Sequence, residues 1–192
     1  DRHSLARDMA WFGLTSWRGL IADLFDPPAT CDLNRLASIR VRVLAEAEDR
    51  PPRAACWLIA WLAGQLGWQP FVMPGCEWPV HFEVTFRSAV GTIAVAIEVE
   101  RSEVGLFAQI AKVEMMLRPD SKSAVKVGIE SDGRGTCEVR MTSADGAGCA
   151  FPRLVKVPTD AVAQRVSAAL LSDRSDPPYH RALPIALWIL GV

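Results

Sequence analysis

Pro51-Pro52-Arg53-Ala54-Ala55-Cys56-Trp57-Leu58-Ile59-Ala60-Trp61-Leu62-Ala63-Gly64-Gln65-Leu66-Gly67 is the stretch on which the fold turns. Proline suits the first turn of a helix, where its missing N–H would have had no intrahelical acceptor. Glycine suits the position just past the last turn, where the backbone becomes left-handed. Between these marks, residues 54–62 are apolar around almost the whole circumference. A helix of that kind has no solvent side and packs on both, against a sheet and against another element. Trp57 and Trp61 are therefore read as core rather than as a ligand platform.

The flanking sequence supplies the sheet. Over residues 36–44, Ile39, Val41 and Val43 alternate with Ser38, Arg40 and Arg42, the period of a strand with one solvated face. Residues 68–72 fit a short second strand. Residues 80–86 and 91–99 alternate in the same way on either side of a loop at 88–90, which predicts a hairpin. Residues 106–117 are ambiguous: Phe107, Ile110, Val113 and Leu117 have helical spacing, yet Ile110, Val113 and Met115 sit among charges that suit a strand. The surrounding meander favours the strand. Residues 124–129 and 136–141 flank Ser131-Asp132-Gly133-Arg134-Gly135, which tolerates positive φ and predicts a second hairpin. A last strand is expected around 151–157.

Helices close both ends. Trp17, Leu20, Ile21, Leu24 and Phe25 form one stripe, Ser16 is available as N-cap, and Asp26-Pro27-Pro28 ends the segment. Pro158-Thr159 caps a predicted helix over 160–171. Asp176-Pro177 starts another that runs to the C-terminus, with a kink expected before Pro184. The fold class is α+β: a largely antiparallel (mixed) β-sheet packed against the apolar helix (about 52–66) and two C-terminal helices. A single domain over 1–192 is expected, with a lead-in segment and helix in 1–30, a β-rich core in 36–157 and the C-terminal helices in 159–190.

Composition narrows the function. Half of the 192 residues are hydrophobic and 22% are charged, which describes a folded chain. The 21 Lys and Arg are balanced by 22 acids, for a net charge of −1, so nothing suggests the basic face that nucleic acid requires. No apolar run reaches the roughly 20 residues of a membrane span. The chain opens at Asp1 without Met, a charged n-region or an apolar signal core, so nothing in it looks secretory, and we expect a fragment.

The chemistry-bearing residues are sparse. There is no Walker pattern, G-x-G-x-x-G or G-x-S-x-G, and the glycines of Asp132-Gly133-Arg134-Gly135 and Asp145-Gly146-Ala147-Gly148 precede strands and read as turns. His3, His81 and His180 fall in a loose terminus, on a strand's outer face and in the first turn of the last helix. The acids Glu46, Glu48, Asp49, Glu98, Glu100 and Glu103 fall where surfaces belong. Five cysteines without a C-x-x-C pair give no zinc spacing, so no metal is expected, and an odd count without a framework fits a reducing cytosol. Cys137 and Cys149 would become neighbours, as redox thiols, if their strands pair across the Asp145 turn; the alternative is two unpaired core thiols. Cys31, after its Pro-Pro loop, is the exposed candidate.

Asp8-Met9-Ala10-Trp11-Phe12-Gly13-Leu14-Thr15-Ser16-Trp17-Arg18, then Leu20-Ile21-Ala22 and Phe25-Asp26, resembles the OpcA family segment in which D-x-x-W and L-T-P-W-R lead into a helix ending F-D. Trp61-Leu62-Ala63, Leu66-Gly67 and Trp68 are similar to that family's L-L-A-G-W-L-A-x-R-L-G-W helix, and the C-terminal stretch resembles its D-x-x-Y-x-x-A-L ending. Ser16 replaces the usual proline and Gln65 an arginine, and the L-R-R-L-D run is absent. The resemblance implies a non-catalytic, cytoplasmic subunit that binds glucose-6-phosphate dehydrogenase and favours its assembled, active form with no cofactor, and it implies a missing N-terminal half. Trp17 and Arg18, with Trp11 beside them, are candidate contacts of types that dominate interfaces, and Trp78 is a candidate exposed aromatic. Trp11 and Trp17 plugging the core is the alternative. Two rival functions remain: a small-molecule sensor with an apolar pocket lined by Trp57, Trp61 and Phe82, or an enzyme with an unrecognised cleft holding His81 or His180 beside a carboxylate.

Overall fold

The computed structural model describes residues 8–25, 33–45, 52–72, 81–101, 109–119, 125–143, 149–156, 167 and 176–191. Eight strands form one sheet: β1 (Leu36–Ala45), β2 (Gln69–Val72), β3 (His81–Ser88), β4 (Gly91–Arg101), β5 (Gln109–Leu117), β6 (Val125–Ser131), β7 (Thr136–Ser143) and β8 (Cys149–Lys156). Their spatial order is β2-β3-β4-β1-β5-β6-β7-β8. Every neighbouring pair is antiparallel except β1 with β4. The sheet is therefore mixed and largely antiparallel, as its alternation predicts, and the ambiguous 106–117 segment resolves as strand β5.

Alternation decides which face is dry. Ile39, Val41 and Val43 of β1, Phe82, Val84 and Phe86 of β3, Ile93, Val95 and Ile97 of β4, and Val113, Met115 and Leu117 of β5 are buried. They lie on the side covered by α3 (Arg53–Leu66) and α4 (Pro177–Leu190), which also pack on each other. Pro52 is the N-cap of α3 and Gly67, at φ 65°, is its C-cap, donating to the Ala63 carbonyl. Residues 55–60 are all buried, as an apolar circumference requires. Fully covering side chains such as Leu58, Ile59 and Leu62 contributes about 1.5–3 kcal/mol each. Where α3 crosses α4, a Cβ on Gly64 would stand 3.0 Å from the Arg181 carbonyl carbon and oxygen, so the two backbones meet with no room for a side chain.

α1 (Met9–Phe12) is capped by Asp8, whose carboxylate accepts from the Ala10 N–H at 2.9 Å. α2 (Thr15–Phe25) corrects the expected boundary: Ser16 lies inside the first turn and is not the N-cap. The reason is a tight turn through Gly13 and Leu14. The Arg18 N–H donates to the Leu14 carbonyl at 2.8 Å and the Thr15 hydroxyl donates to the Phe12 carbonyl at 2.9 Å, so the helical ladder starts earlier than the apolar stripe. α4 begins after Asp176, which accepts from the Tyr179 N–H at 3.1 Å, and runs through Pro184, on its exposed side, to Leu190. The helix expected over 160–171 lies outside the described residues, apart from helical Ser167.

Arg118 ties three strands together at one end of the sheet. Its guanidinium donates to the carbonyls of Leu36 and Thr92, its N–H to the Arg35 carbonyl at 2.7 Å, and Arg35 donates back to the Arg118 carbonyl. Gly91, at φ 136°, makes the space: a Cβ there would stand 3.2 Å from the Arg118 side chain.

Candidate functional site

The N-terminal residues singled out by the sequence converge on one aromatic cluster. The Trp11 ring meets Trp57 edge-on at 5.6 Å and Tyr179 at 5.3 Å, while Trp57 stacks on Tyr179 at 5.1 Å. Arg18 lies over the Trp11 ring at 3.8 Å, a cation–π contact strengthened by partial loss of water. Trp11 Nε1–H donates to Asp176 Oδ2 at 3.1 Å, across 165 residues of sequence. Asp8 at the margin pairs with Arg53 at 3.2 Å. Burial weakens the hold of Arg18 on its proton, partly offset by the charge of Asp176. A guanidinium nevertheless stays charged in proteins, so it acts here as a fixed cation.

This arrangement joins α1, α2, α3 and the start of α4. Trp11 is 1% exposed, so in this structure it is core and not a contact residue. Trp17 is half-buried against the same core and keeps part of its surface in solvent. The Arg18 Nε and Trp57 Nε1 atoms are buried without an acceptor. Asp176 accepts from Trp11 and from the first turn of α4. Trp78 and Cys31 lie outside the described residues.

The remaining candidates are dispersed. His81 Nε2 stands 2.9 Å from Glu83 Oε1 on the face of the sheet that no described helix covers, and both side chains are exposed. His180 is exposed, edge-on to Tyr179. The cysteine pairing needs correction: β7 and β8 do pair, but Cys137 stands opposite Val155 and Cys149 opposite Thr142. Five positions along the ladder amount to about 17 Å, far beyond disulfide reach. Cys137 is a free, buried thiol whose pKa burial raises, and burial pushes that of Cys56 up to about 12, so neither is primed as a thiolate.

Two hollows lie on the uncovered face, opposite the helices, and neither is lined by Trp57, Trp61 or Phe82. One, of about 280 Å³, is floored by Ser38, Ala94 and Ala96; the other, of about 210 Å³, is floored by Gly128. Glu114 and Lys126, paired at 2.6 Å, stand between them and line both. The Lys126 hydrogen bond holds the Glu114 carboxyl below its ordinary range, with Lys112 and Arg40 adding to the effect. The sequence reading anticipated that Arg40 and Arg42 face outward, but it did not single out Glu114, Lys126 or the small residues, because their grouping depends on strand register. Among the described residues no three His, Cys, Asp or Glu gather as a metal site, and no helix is long and apolar enough to cross a membrane.

Comparison with known proteins places this architecture. A "Putative OxPP cycle protein OpcA" from Synechococcus elongatus is 34% identical over 77 residues, which is 40% of this chain and 16% of that protein. The match thus spans about a sixth of that relative's length. Two solved structures align weakly: a dehydrogenase (MviM) from Clostridium difficile, 7% identical, covering 82% of this chain and 55% of that one at a TM-score of 0.39, and a Gfo/Idh/MocA family oxidoreductase from Vibrio cholerae, 10% identical, covering 93% and 57% at 0.39. Likenesses of that size carry no argument about function. The OpcA family model, which describes the C-terminal domain of a glucose-6-phosphate dehydrogenase subunit, matches residues 5–183, nearly the whole chain. The chain belongs to the OpcA family, and what it contains is that family's C-terminal domain.

Proposed function

We propose that the chain is a non-catalytic, cytoplasmic subunit that binds glucose-6-phosphate dehydrogenase and favours its assembled, active form in the oxidative pentose phosphate pathway. It needs no cofactor, and its partner is protein rather than nucleic acid or membrane. The observation that carries this reading is the family match over residues 5–183. Such an activator works by binding the active conformation or oligomer more tightly than the inactive one, and its effect is bounded by that difference in affinity.

The docking face is placed on α2. Thr15, Gly19, Ala22 and Asp23 are exposed at helical spacing, with the half-buried Trp17 on the same helix. Trp11 and Arg18 act beneath it as positioning residues, holding α2 against α3 and α4. Trp78 is a second aromatic contact. The test is to mix the protein with the dehydrogenase from the same cell and measure co-elution and specific activity. Co-elution with raised activity is expected, and Ala22→Arg should weaken it roughly tenfold without changing the melting temperature. Separate elution with unchanged activity overturns the proposal.

A further inference from the structure

The face of the sheet that no described helix covers is an ordered pattern of charge. Following the strand register across six strands, Glu83 lies beside Ala96, Ala96 beside Arg40, Arg40 beside Glu114, Glu114 beside Gly128, and Gly128 beside Arg140. In the order β3-β4-β1-β5-β6-β7 the charges read negative, none, positive, negative, none, positive. Read from the other end, every sign is reversed and every uncharged position falls on an uncharged position. A row with that property is complementary to itself when two sheets face each other about an axis along the strands, between β1 and β5. Arg40 of one copy then stands opposite Glu114 of the other, Glu83 opposite Arg140, and Ala96 opposite Gly128.

We propose that this face is a self-association surface on which two copies of the chain pack about such a two-fold axis. The adjoining row supports it. Thr85, Ala94, Ser38, Met116, Lys126 and Thr142 follow one another across the same strands. The axis sets Met116 of one copy over Ser38 of the other and Lys126 over Ala94. The long side chains thus enter the 280 Å³ hollow that the small residues leave, and no like charges meet. The row on the other side, with Arg42 next to Lys112, would bring like charges together. Aligned sheets cross at about 30°, so contact concentrates on part of the face and that row stays at the wet rim, where solvent and salt screen it.

Charge selects this occupant over others. The face carries Arg40, Arg42, Lys112, Lys126 and Arg140 against Glu83, Glu98, Glu114, Glu130 and Glu138, most of them interleaved in ion pairs, and offers no single-sign field to a polyanion or polycation. Six strands about 4.8 Å apart and three rows deep give on the order of 600 Å² per copy, at the low end for specific interfaces. The association is therefore weak and concentration-dependent.

Sedimentation of the chain from micromolar to millimolar concentration tests this without any dehydrogenase, so its outcome is separable from the proposed function. A monomer–dimer equilibrium is expected. Glu114→Arg should weaken it at least tenfold, and R40E combined with E114R should restore it, since the reversed pair regains both partners. Ala96 and Gly128 lie three strands apart within one chain, about 14 Å, whereas facing sheets about 10 Å apart bring the thiols of A96C and G128C within about 7 Å between copies, too far for a disulfide but within reach of a short bismaleimide. With that reagent the double variant should cross-link beyond the background of the unsubstituted chain, while A96C alone and G128C alone should not. A chain that stays monomeric throughout overturns the proposal. So does cross-linking by A96C alone, because it requires a different axis.

Discussion

On the helix-covered face of the sheet, Ile39, Val41 and Val43 are buried among Phe82, Val84, Ile93 and Val95. One residue along the same strand, Ser38, Arg40 and Arg42 sit among small side chains and ion pairs. The first face draws its stability from area removed from water and from close packing, so it tolerates few replacements. The second is built of exposed pairs worth about 0–1 kcal/mol each, so its pattern is free to vary with what it meets. Stability and the proposed self-association are thus divided between the two sides of one set of strands.

The sharpest way to break this division is to open the covered side. Trp57→Ala removes the ring that stacks on Tyr179 and touches Trp11, and should cost about 3–5 kcal/mol, read as a lowered midpoint in chemical denaturation. Gly64→Ala places a methyl 3.0 Å from the α4 backbone and should cost about 1–3 kcal/mol through forced separation of the helices. Arg118→Ala unties the ends of β1, β4 and β5 and should lower stability by about 1–2 kcal/mol, with faster amide exchange near Leu36 and Thr92. A loss under about 0.3 kcal/mol for Trp57→Ala or Gly64→Ala would mean that the covered face is not where stability resides.

The smallest effect belongs to the bare face. The folded pKa of Glu114 is depressed, so its pairing with Lys126 stabilises the fold above the ordinary carboxylate value of 4.5 and is lost as pH falls through the lowered folded value. Glu114→Gln should leave neutral-pH stability within about 0.5 kcal/mol while shallowing the acid limb of the pH–stability curve. An unchanged acid limb would show that the pair contributes nothing.

The sequence made much of the covered side legible. Pro52 and Gly67 mark both ends of α3, and alternation in β1, β3 and β4 tells which residues are dry. Alternation does not say which strand neighbours which. The insertion of β1 between β4 and β5, one neighbour parallel and the other antiparallel, is a matter of long-range packing that no local pattern encodes. The same ignorance of register misplaced Cys149 relative to Cys137 and hid the charge row through Arg40 and Glu114. Ser16 looked like a cap because the turn at Gly13 and Leu14 is set by hydrogen bonds rather than by apolar spacing. The bond from Trp11 to Asp176 joins the two ends of the described chain and was beyond any reading of either end alone.

The position of β1 has a temporal consequence. As the first of the described strands off the ribosome, it must wait with both edges unmatched until β4 and β5 have been made, while the hairpin β3–β4 and the meander β5–β8 can each zip locally. Among the described strands it is the sole seam between those two blocks and is paired on both edges, so the amides of Val41 and Val43 should be among the last to exchange with solvent.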